Sequence, residues 1–164
     1  MKKLWKVLGL ILICLILLLV VLRATGLDPH ERIPGLWLNG DLVTTPVADW
    51  SFTDEFQTVK VQTNTWYLLP HSVTTYCVAY NGQLYLTSVY RAGLEYPHGK
   101  NWTANVARDP RVRIKIGNQL YDRTLSYVTD PAEKAAVLEV KAKKYPQQVI
   151  ATTSTVNVFH VMDN

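Results

Sequence analysis

The segment from Pro97 to Gly117, PHGKNWTANVARDPRVRIKIG, combines a predicted helix start with a high density of basic residues. Lys100 stands at the start of that helix, where free backbone N–H groups and the helix dipole favour negative charge. A lysine is also a phosphate-binding point charge. The segment therefore predicts a site for an anionic ligand tail, with Lys100 as its principal residue. Further basic side chains follow: Arg108, Arg111, Arg113 and Lys115.

Three other residues could contact the same ligand. The hydroxyls of Thr87 and Ser88, at the end of a predicted strand, could hydrogen-bond a phosphate, although turn-capping hydroxyls are equally common. Trp102 could stack on a planar ring, but filling the mouth of a barrel is the favoured interpretation.

Arg91 and Arg111 are candidate second contacts to the anion, with plain surface positions as the alternative. His98 could protonate a substrate because its unperturbed pKa lies near neutral pH. No carboxylate stands at a useful spacing from His98, so the sequence assigns no catalytic residue.

The positive charge is local. Removing Lys2, Lys3, Lys6 and Arg23 from the 17 basic residues leaves 13, which equals the 13 acidic ones. A nucleic-acid-binding domain usually carries a basic surplus, so no nucleic-acid partner is expected.

Turn signals indicate an antiparallel β domain. Asn39-Gly40, Asn81-Gly82 and Gly117-Asn118 each separate two apolar or alternating runs, and such pairs favour tight hairpins. The predicted strands are 36–43, 59–63, 76–80, 83–88, 112–116, 119–127 and 156–161.

Two helices accompany the strands. The first covers Asn101 to Arg108 and stops at Pro110. The second begins after an Asp130 N-cap with Pro131 at its first position, and ends before Tyr145. We interpret the lysines of its last turns as a solvated helix end. Many short strands with two helices predict a closed β-barrel flanked by helices.

The cysteines and histidines show no zinc-ligand spacing, so no metal site is expected. Cys77 alternates with apolar neighbours in a predicted strand and is interpreted as a small buried side chain. Cys14 lies in the apolar N-terminal run, which leaves the domain without an internal disulfide.

The N-terminus reads as a membrane anchor. Val7 to Leu22 is uncharged and, with the residues before it, approaches the roughly 30 Å hydrocarbon thickness of a bilayer. A cleaved signal peptide is the alternative, but the apolar run is long for one. We predict an anchor at residues 1–26, a linker at 27–34 and a domain at 35–164. Lysines before the span predict a cytoplasmic N-terminus and an extracytoplasmic domain.

Several residues of the basic segment also carry a resemblance. His98, Trp102, Asn105, the run Asp109-Pro110-Arg111-Val112 and Gly117 resemble a motif of the deazaflavin (F420)-dependent nitroreductases, within the FMN-binding, pyridoxamine-phosphate-oxidase-like split β-barrels. The resemblance implies a six-stranded antiparallel split barrel with two flanking helices, often a homodimer, that binds F420 or FMN by its phosphate-bearing tail.

Two functions stay open at this stage. The first is a membrane-anchored oxidoreductase that uses FMN or F420 for hydride transfer to a small organic substrate. The second is a non-catalytic exported module that binds a small hydrophobic or tetrapyrrole ligand or a protein partner. The second is motivated by residues 62–69, QTNTWYLL, where the family usually has a Gly-, Arg- and Ser-rich turn.

Overall fold

The computed structural model describes residues 2–91, 93–99 and 101–163. In chain order its elements are α1 (Lys2–Thr25), β1 (Asp41–Leu42), a 3-10 helix (Ser51–Glu55), β2 (Val59–Thr63), β3 (His71–Tyr80), β4 (Gln83–Tyr90), α2 (Asn101–Arg108), β5 (Arg111–Ile116), β6 (Gln119–Tyr127), α3 (Pro131–Lys144) and β7 (Thr155–Met162).

Six strands close into a barrel in the order β6-β5-β2-β3-β4-β7, and β7 pairs back onto β6. Every pairing in this ring is antiparallel. The short β1 adds to the start of β6 in parallel, outside the ring. The prediction of a six-stranded antiparallel split barrel preceded by an apolar helix is therefore confirmed.

Two of the three predicted hairpins are present. Asn81 and Gly82 have positive φ angles of 50° and 73°, and Gly117 has a φ of 59°. A tight turn joining two right-handedly twisted strands requires such angles, and Asn and Gly adopt them at low cost. Asn81-Gly82 joins β3 to β4, and Gly117-Asn118 joins β5 to β6.

The predicted strand from Leu36 to Val43 is wrong, because only Asp41–Leu42 forms ladder pairs. Asn39-Gly40 is not a hairpin. Instead the chain passes closely over the β5–β6 turn, where Asp41 N–H donates to the Asn118 carbonyl at 2.9 Å. A Cβ on Gly40 would lie 2.3 Å from that carbonyl oxygen, so the glycine is required for close approach rather than for a turn.

Alternation along the strands builds two apolar layers. The barrel interior contains Val61, Leu86, Ile114 and Phe159, and Cys77 is buried in it as predicted. The second layer lies between the outer face of the barrel and α3. It consists of Val78, Tyr85, Val128, Val137, Tyr145 and Val158.

Both barrel helices lie where the sequence predicts them. The Asp130 carboxylate caps α3 by accepting hydrogen bonds from Ala132 N–H at 3.3 Å and Glu133 N–H at 3.0 Å. Pro131 takes the first helical position, where its missing N–H costs nothing.

The interpretation of the α3 lysines as a solvated end is wrong for two of the three. Lys141 is only 2% exposed, and its ammonium lies 5.2 Å from the ring centre of Tyr76. Lys144 donates to the Thr53 carbonyl at 2.9 Å. Only Lys143 stays in solvent, because the end of α3 packs against β3 and the 3-10 helix.

The α1 helix is long and apolar enough to cross a membrane, with a mean hydropathy of 3.1 and no part of that stretch buried against the rest of the chain. Its 24 residues span about 36 Å at 1.5 Å per residue.

We expect Gly40→Ala to lower the free energy of unfolding by about 2 kcal/mol, because the added methyl group overpacks against backbone. Chemical denaturation of the full chain in detergent, followed by tryptophan fluorescence, measures this change. Gly9→Ala is the matched control, since a Cβ there meets nothing within 4 Å. Equal stability of the two variants would contradict the close approach at Gly40.

Candidate functional site

The chain after α1 folds back onto the barrel. Leu27 N–H donates to the Trp37 carbonyl at 2.8 Å, and Leu36 N–H donates to the Leu27 carbonyl at 2.8 Å. Gly35 exchanges two backbone hydrogen bonds with Ser72 on β3. Residues 27–34, which we predicted as a linker, thus make defined contacts, and the C-terminal end of α1 has a fixed place on the barrel.

Asp28 fastens this segment to two neighbouring strands. Its Oδ2 lies 2.8 Å from Lys60 Nζ on β2 and 2.6 Å from Lys115 Nζ on β5. Partial burial of the carboxyl acts to raise its pKa, but the hydrogen bonds from Lys115 and Lys60 prevail and the pKa lies below the ordinary 3.8. The carboxylate is therefore ionised at neutral pH and neutralises charge that the sequence had assigned to an anion site.

The end of α1 borders a cleft of about 620 Å³ on the outer surface of β2 and β5. We call it the arginine cleft, because three of its lining side chains are guanidinium groups. Its lining residues are Arg23, Trp37, Gln62, Asn64, Thr65, Leu68, Pro70, Asp109, Arg111, Val112, Arg113 and Asp122.

Two of the three arginines are paired within the cleft. Arg111 donates to both carboxylate oxygens of Asp109, through Nε at 2.8 Å and Nη2 at 2.9 Å. Arg113 donates to Asp122 in the same way, through Nε at 2.7 Å and Nη2 at 2.8 Å. Hydrogen bonds from Arg111 hold the pKa of the Asp109 carboxyl well below its usual range. Both carboxylates are fully engaged, so neither is arranged as a general acid or base.

Arg23 is the cation of the cleft that no described carboxylate pairs with. Its guanidinium carbon lies 5.9 Å from the ring centre of Trp37, a cation–π distance. Three arginines against two aspartates leave the lining with one net positive charge. A planar ligand with a negative group matches this combination of an aromatic face and a free cation.

A second, smaller cleft of about 370 Å³ lies on the other side of the 64–70 loop, next to α2. It contains His71, Asn105 and Arg108. Burial lowers the pKa of His71, so its imidazole is neutral at pH 7. We call these two sites together the loop-flanking clefts, since Thr65 lines both.

The predicted contacts Thr87 and Ser88 lie on opposite faces of β4. Ser88 follows the register of Leu86 into the barrel interior, whereas Thr87 follows Tyr85 toward the α3 layer. Both are at least 96% buried, and neither hydroxyl has a hydrogen-bond partner among the described residues. A single ligand can therefore contact at most one of them.

The other predicted site residues are also dispersed. Trp102 is buried in the interior core with its ring 5.5 Å from that of Phe159. Arg91 and His98 are exposed, and Arg111 lines the arginine cleft. Lys100 lies outside the described residues. Of the seven predicted site residues, Arg111 is therefore the one that lines a described cleft.

Sequence reasoning missed Arg23, Trp37 and Gln62 as cleft residues. Arg23 falls within residues 1–26, which were assigned to the anchor. Alternation in β2 could have indicated Gln62, because it faces outward between the buried Val61 and Thr63. No metal site was expected, and within residues 2–91, 93–99 and 101–163 no group of three or more His, Cys, Asp or Glu is arranged to bind one.

No protein-family model matches the chain, and no curated protein matches its sequence. Solved structures do match. The conserved hypothetical protein Rv2991 from Mycobacterium tuberculosis superposes with a TM-score of 0.52 at 17% identity, covering 82% of this chain and 86% of that one. HutZ, the heme storage protein from Vibrio cholerae, gives 0.51 at 14% identity, covering 69% and 85%.

An F420-H2-dependent reductase, FDR-A, also matches, with a TM-score of 0.46 at 20% identity, covering 65% of this chain and 94% of that one. The structures that this chain resembles are split-barrel proteins, as the sequence motif indicated. At these identities the similarity establishes the fold alone.

We expect Asp28→Asn to lower the free energy of unfolding by about 2 kcal/mol at pH 7, because it leaves two partly buried ammonium groups without their shared counter-charge. A lowered folded-state pKa stabilises the protein above the unfolded value of 3.8, and that stabilisation is lost as the pH falls through the folded pKa. The difference between wild type and variant should therefore shrink below about pH 4.

Denaturant titrations of the full chain in detergent between pH 3 and pH 7 measure this difference. Glu139→Gln is the control, because Glu139 and Lys143 form an exposed pair of the same type. A constant difference across the pH range would contradict the assignment to Asp28 ionisation.

Proposed function

We propose that this protein is a membrane-anchored oxidoreductase that binds a flavin or deazaflavin cofactor, FMN or F420, in the arginine cleft. The observation that carries the proposal is the free Arg23 cation over Trp37, next to the ordered guanidinium groups of Arg111 and Arg113. The cleft volume of about 620 Å³ lies within the range of small-molecule sites.

Different residues of the arginine cleft would bind different parts of the cofactor. Trp37 offers an aromatic face for a ring system, and Arg23 offers a charge-assisted contact for the anionic tail. The side-chain amides of Gln62 and Asn64 add polar contacts, although Gln62 Oε1 already accepts from Leu38 N–H at 2.8 Å. When bound, the cofactor would supply hydride transfer to a small organic acceptor, and the protein would bind and orient it. We assign no catalytic residue.

The sequence-predicted tail site stays a separate prediction. Its residues are Thr87, Ser88, Arg91, His98, Lys100, Trp102 and Arg111, and Arg111 is the one that the two proposals share. Since Arg113 and Lys115 are paired with Asp122 and Asp28, the basic strand contributes less free charge than its composition suggests.

A second candidate is the non-catalytic module that binds a small hydrophobic or tetrapyrrole ligand or a protein partner. The pairing of both cleft carboxylates with arginines favours it, because neither Asp109 nor Asp122 is available to move a proton. A propionate-bearing tetrapyrrole offers the same planar, anionic chemistry to Arg23 and Trp37.

We further propose that α1 is the anchor, with residues 1–26 as its extent and residues 35–164 as the domain. Lys2, Lys3 and Lys6 before the apolar run favour a cytoplasmic N-terminus and an extracytoplasmic domain. A homodimer, implied by the resemblance, is part of the same proposal.

We expect Arg23→Gln to weaken cofactor binding about tenfold, because one charge-assisted contact contributes about 1.4 kcal/mol or more. Titration of the full chain in detergent with FMN, F420 and hemin, followed by absorbance and fluorescence, measures the affinities. The matched control is Arg32→Gln, the same change at an exposed residue that does not line the cleft.

Three further outcomes decide between the proposals. Binding of hemin without FMN or F420 supports the non-catalytic module. Cofactor binding that is lost in Lys100→Ala but unchanged in Arg23→Gln would place the ligand at the tail site and contradict the arginine cleft. If none of the three ligands binds at high micromolar concentration, the oxidoreductase proposal is wrong.

A further inference from the structure

The 64–70 loop between β2 and β3 presents three consecutive large apolar side chains to solvent. Trp66 is 78% exposed, Tyr67 49% and Leu68 93%. Single exposed apolar residues are ordinary, but an uninterrupted exposed run of aromatic and aliphatic side chains marks an interaction surface. The cofactor proposal uses Leu68 only as one wall of the cleft and leaves the other two side chains without a role.

The loop is held in an ordered conformation at its base. Asn64 Nδ2 donates to Asp109 Oδ2 at 2.9 Å, and Arg108 donates to the Asn64 carbonyl. Thr65 Oγ1 donates to the Leu69 carbonyl and closes the turn. These hydrogen bonds hold the base of the loop against the start of β5. The apolar tip therefore loses little conformational entropy when it binds another surface.

The tip of the 64–70 loop projects away from the barrel. Leu68 adopts a left-handed φ of 67°, which a leucine rarely takes and which turns its side chain away from the barrel. The rings of Trp66 and Tyr67 lie edge to face, 5.4 Å apart. Both rings stay largely exposed in spite of this contact, and both also line the smaller of the loop-flanking clefts.

The loop lies beside the end of the apolar helix. Leu68 and Arg23 line the same arginine cleft, and Arg23 is the first charged residue after the uncharged stretch of α1. In a membrane-spanning helix an arginine at this point lies at headgroup level. The apolar tip therefore lies close to the depth at which tryptophan and tyrosine are enriched in membrane proteins.

The charge around the loop matches an anionic membrane surface. The loop-flanking clefts contain four arginines against two carboxylates. The arginines are Arg23, Arg108, Arg111 and Arg113, and the carboxylates are Asp109 and Asp122. The Arg111 side chain is 74% exposed, so its free face can still meet a lipid phosphate although its other side binds Asp109.

We propose that the tip of the 64–70 loop is a second membrane contact: Trp66, Tyr67 and Leu68 insert into the interfacial layer, and the surrounding arginines bind anionic headgroups. This inference rests on the proposed anchoring by α1. It shares Arg23 and Arg111 with the cofactor proposal, but its test needs no cofactor. Its consequence is that the mouth of the arginine cleft opens at the bilayer surface, where a lipid-soluble substrate can enter it.

The test places a fluorescent label at Leu68→Cys in the full chain, in vesicles of phosphatidylcholine and phosphatidylglycerol. Cys14→Ser removes the exposed cysteine, and the burial of Cys77 keeps it from the labelling reagent in the folded protein. The matched control label is at Gln83→Cys, an exposed position at the start of β4. It lies beside the far end of β3, whose ten residues cover about 30 Å. Quenchers are shallow doxyl lipids and aqueous iodide.

We expect several-fold stronger doxyl quenching and several-fold weaker iodide quenching at position 68 than at position 83. Strong iodide and weak doxyl quenching at position 68 would overturn the inference, as would shielding from both quenchers, which would indicate a protein partner on the loop. Replacing phosphatidylglycerol with phosphatidylcholine should reduce doxyl quenching at position 68. Unchanged quenching would overturn the headgroup contacts.

Co-flotation with the vesicles separates this inference from the anchor. A chain that floats with the vesicles while its label at position 68 stays in water overturns the loop contact and leaves the anchor standing. A chain that does not float overturns both.

Discussion

The contact of one carboxylate with two ammonium groups holds the segment after α1 against the barrel. Asp28 follows the apolar helix almost directly, and its partners Lys60 and Lys115 stand on adjacent strands of the barrel. An ion pair at the surface contributes little to stability, but this one is partly buried and bridges segments far apart in sequence. It fixes the point where α1 meets the barrel.

That fixed point determines the environment of the cleft. Because the chain from Gly26 to Asp41 lies along β2 and β5, Trp37 forms one wall of the arginine cleft and Arg23 lies over its ring. A flexible connection would leave the outer face of these strands as an open, polar surface. The same constraint brings the end of α1 next to the 64–70 loop, so the proposed anchor, the proposed ligand cleft and the proposed membrane contact share one side of the barrel.

Much of the fold could be predicted from local signals. The bounds of β2 and α2, the end of α3 and two tight turns follow from alternation, Asn-Gly pairs and caps, which act over a few residues. Some contacts of the site could also be predicted from the sequence. A two-residue turn at Gly117-Asn118 dictates that Arg113 stands opposite Asp122, and strand alternation places Thr87 and Ser88 on opposite faces. Applying that register would have shown that Asp122 neutralises Arg113 of the basic strand.

The rest depends on packing between distant segments. Nothing near Asp28 in sequence indicates its partners, because these lie on strands that only the closed barrel brings together. Arg23 meets Trp37 only because the chain after α1 folds back onto the barrel. Lys141 and Lys144 are buried for the same reason, because α3 ends against two tyrosine rings. These are Tyr76 on β3 and Tyr145, the residue directly after α3. In each case a charged side chain that looked solvated is enclosed by aromatic rings or by a carboxylate from elsewhere in the chain.

The central claim is that α1 is rigidly joined to the barrel through Asp28. A spin-label distance measurement between Val21→Cys and Ala135→Cys, in the Cys14→Ser background of the full chain in lipid nanodiscs, tests it most directly. The account predicts a single narrow distance distribution that broadens when Asp28→Ala is added. A distribution that is already broad with Asp28 present, and unchanged by its removal, would contradict it.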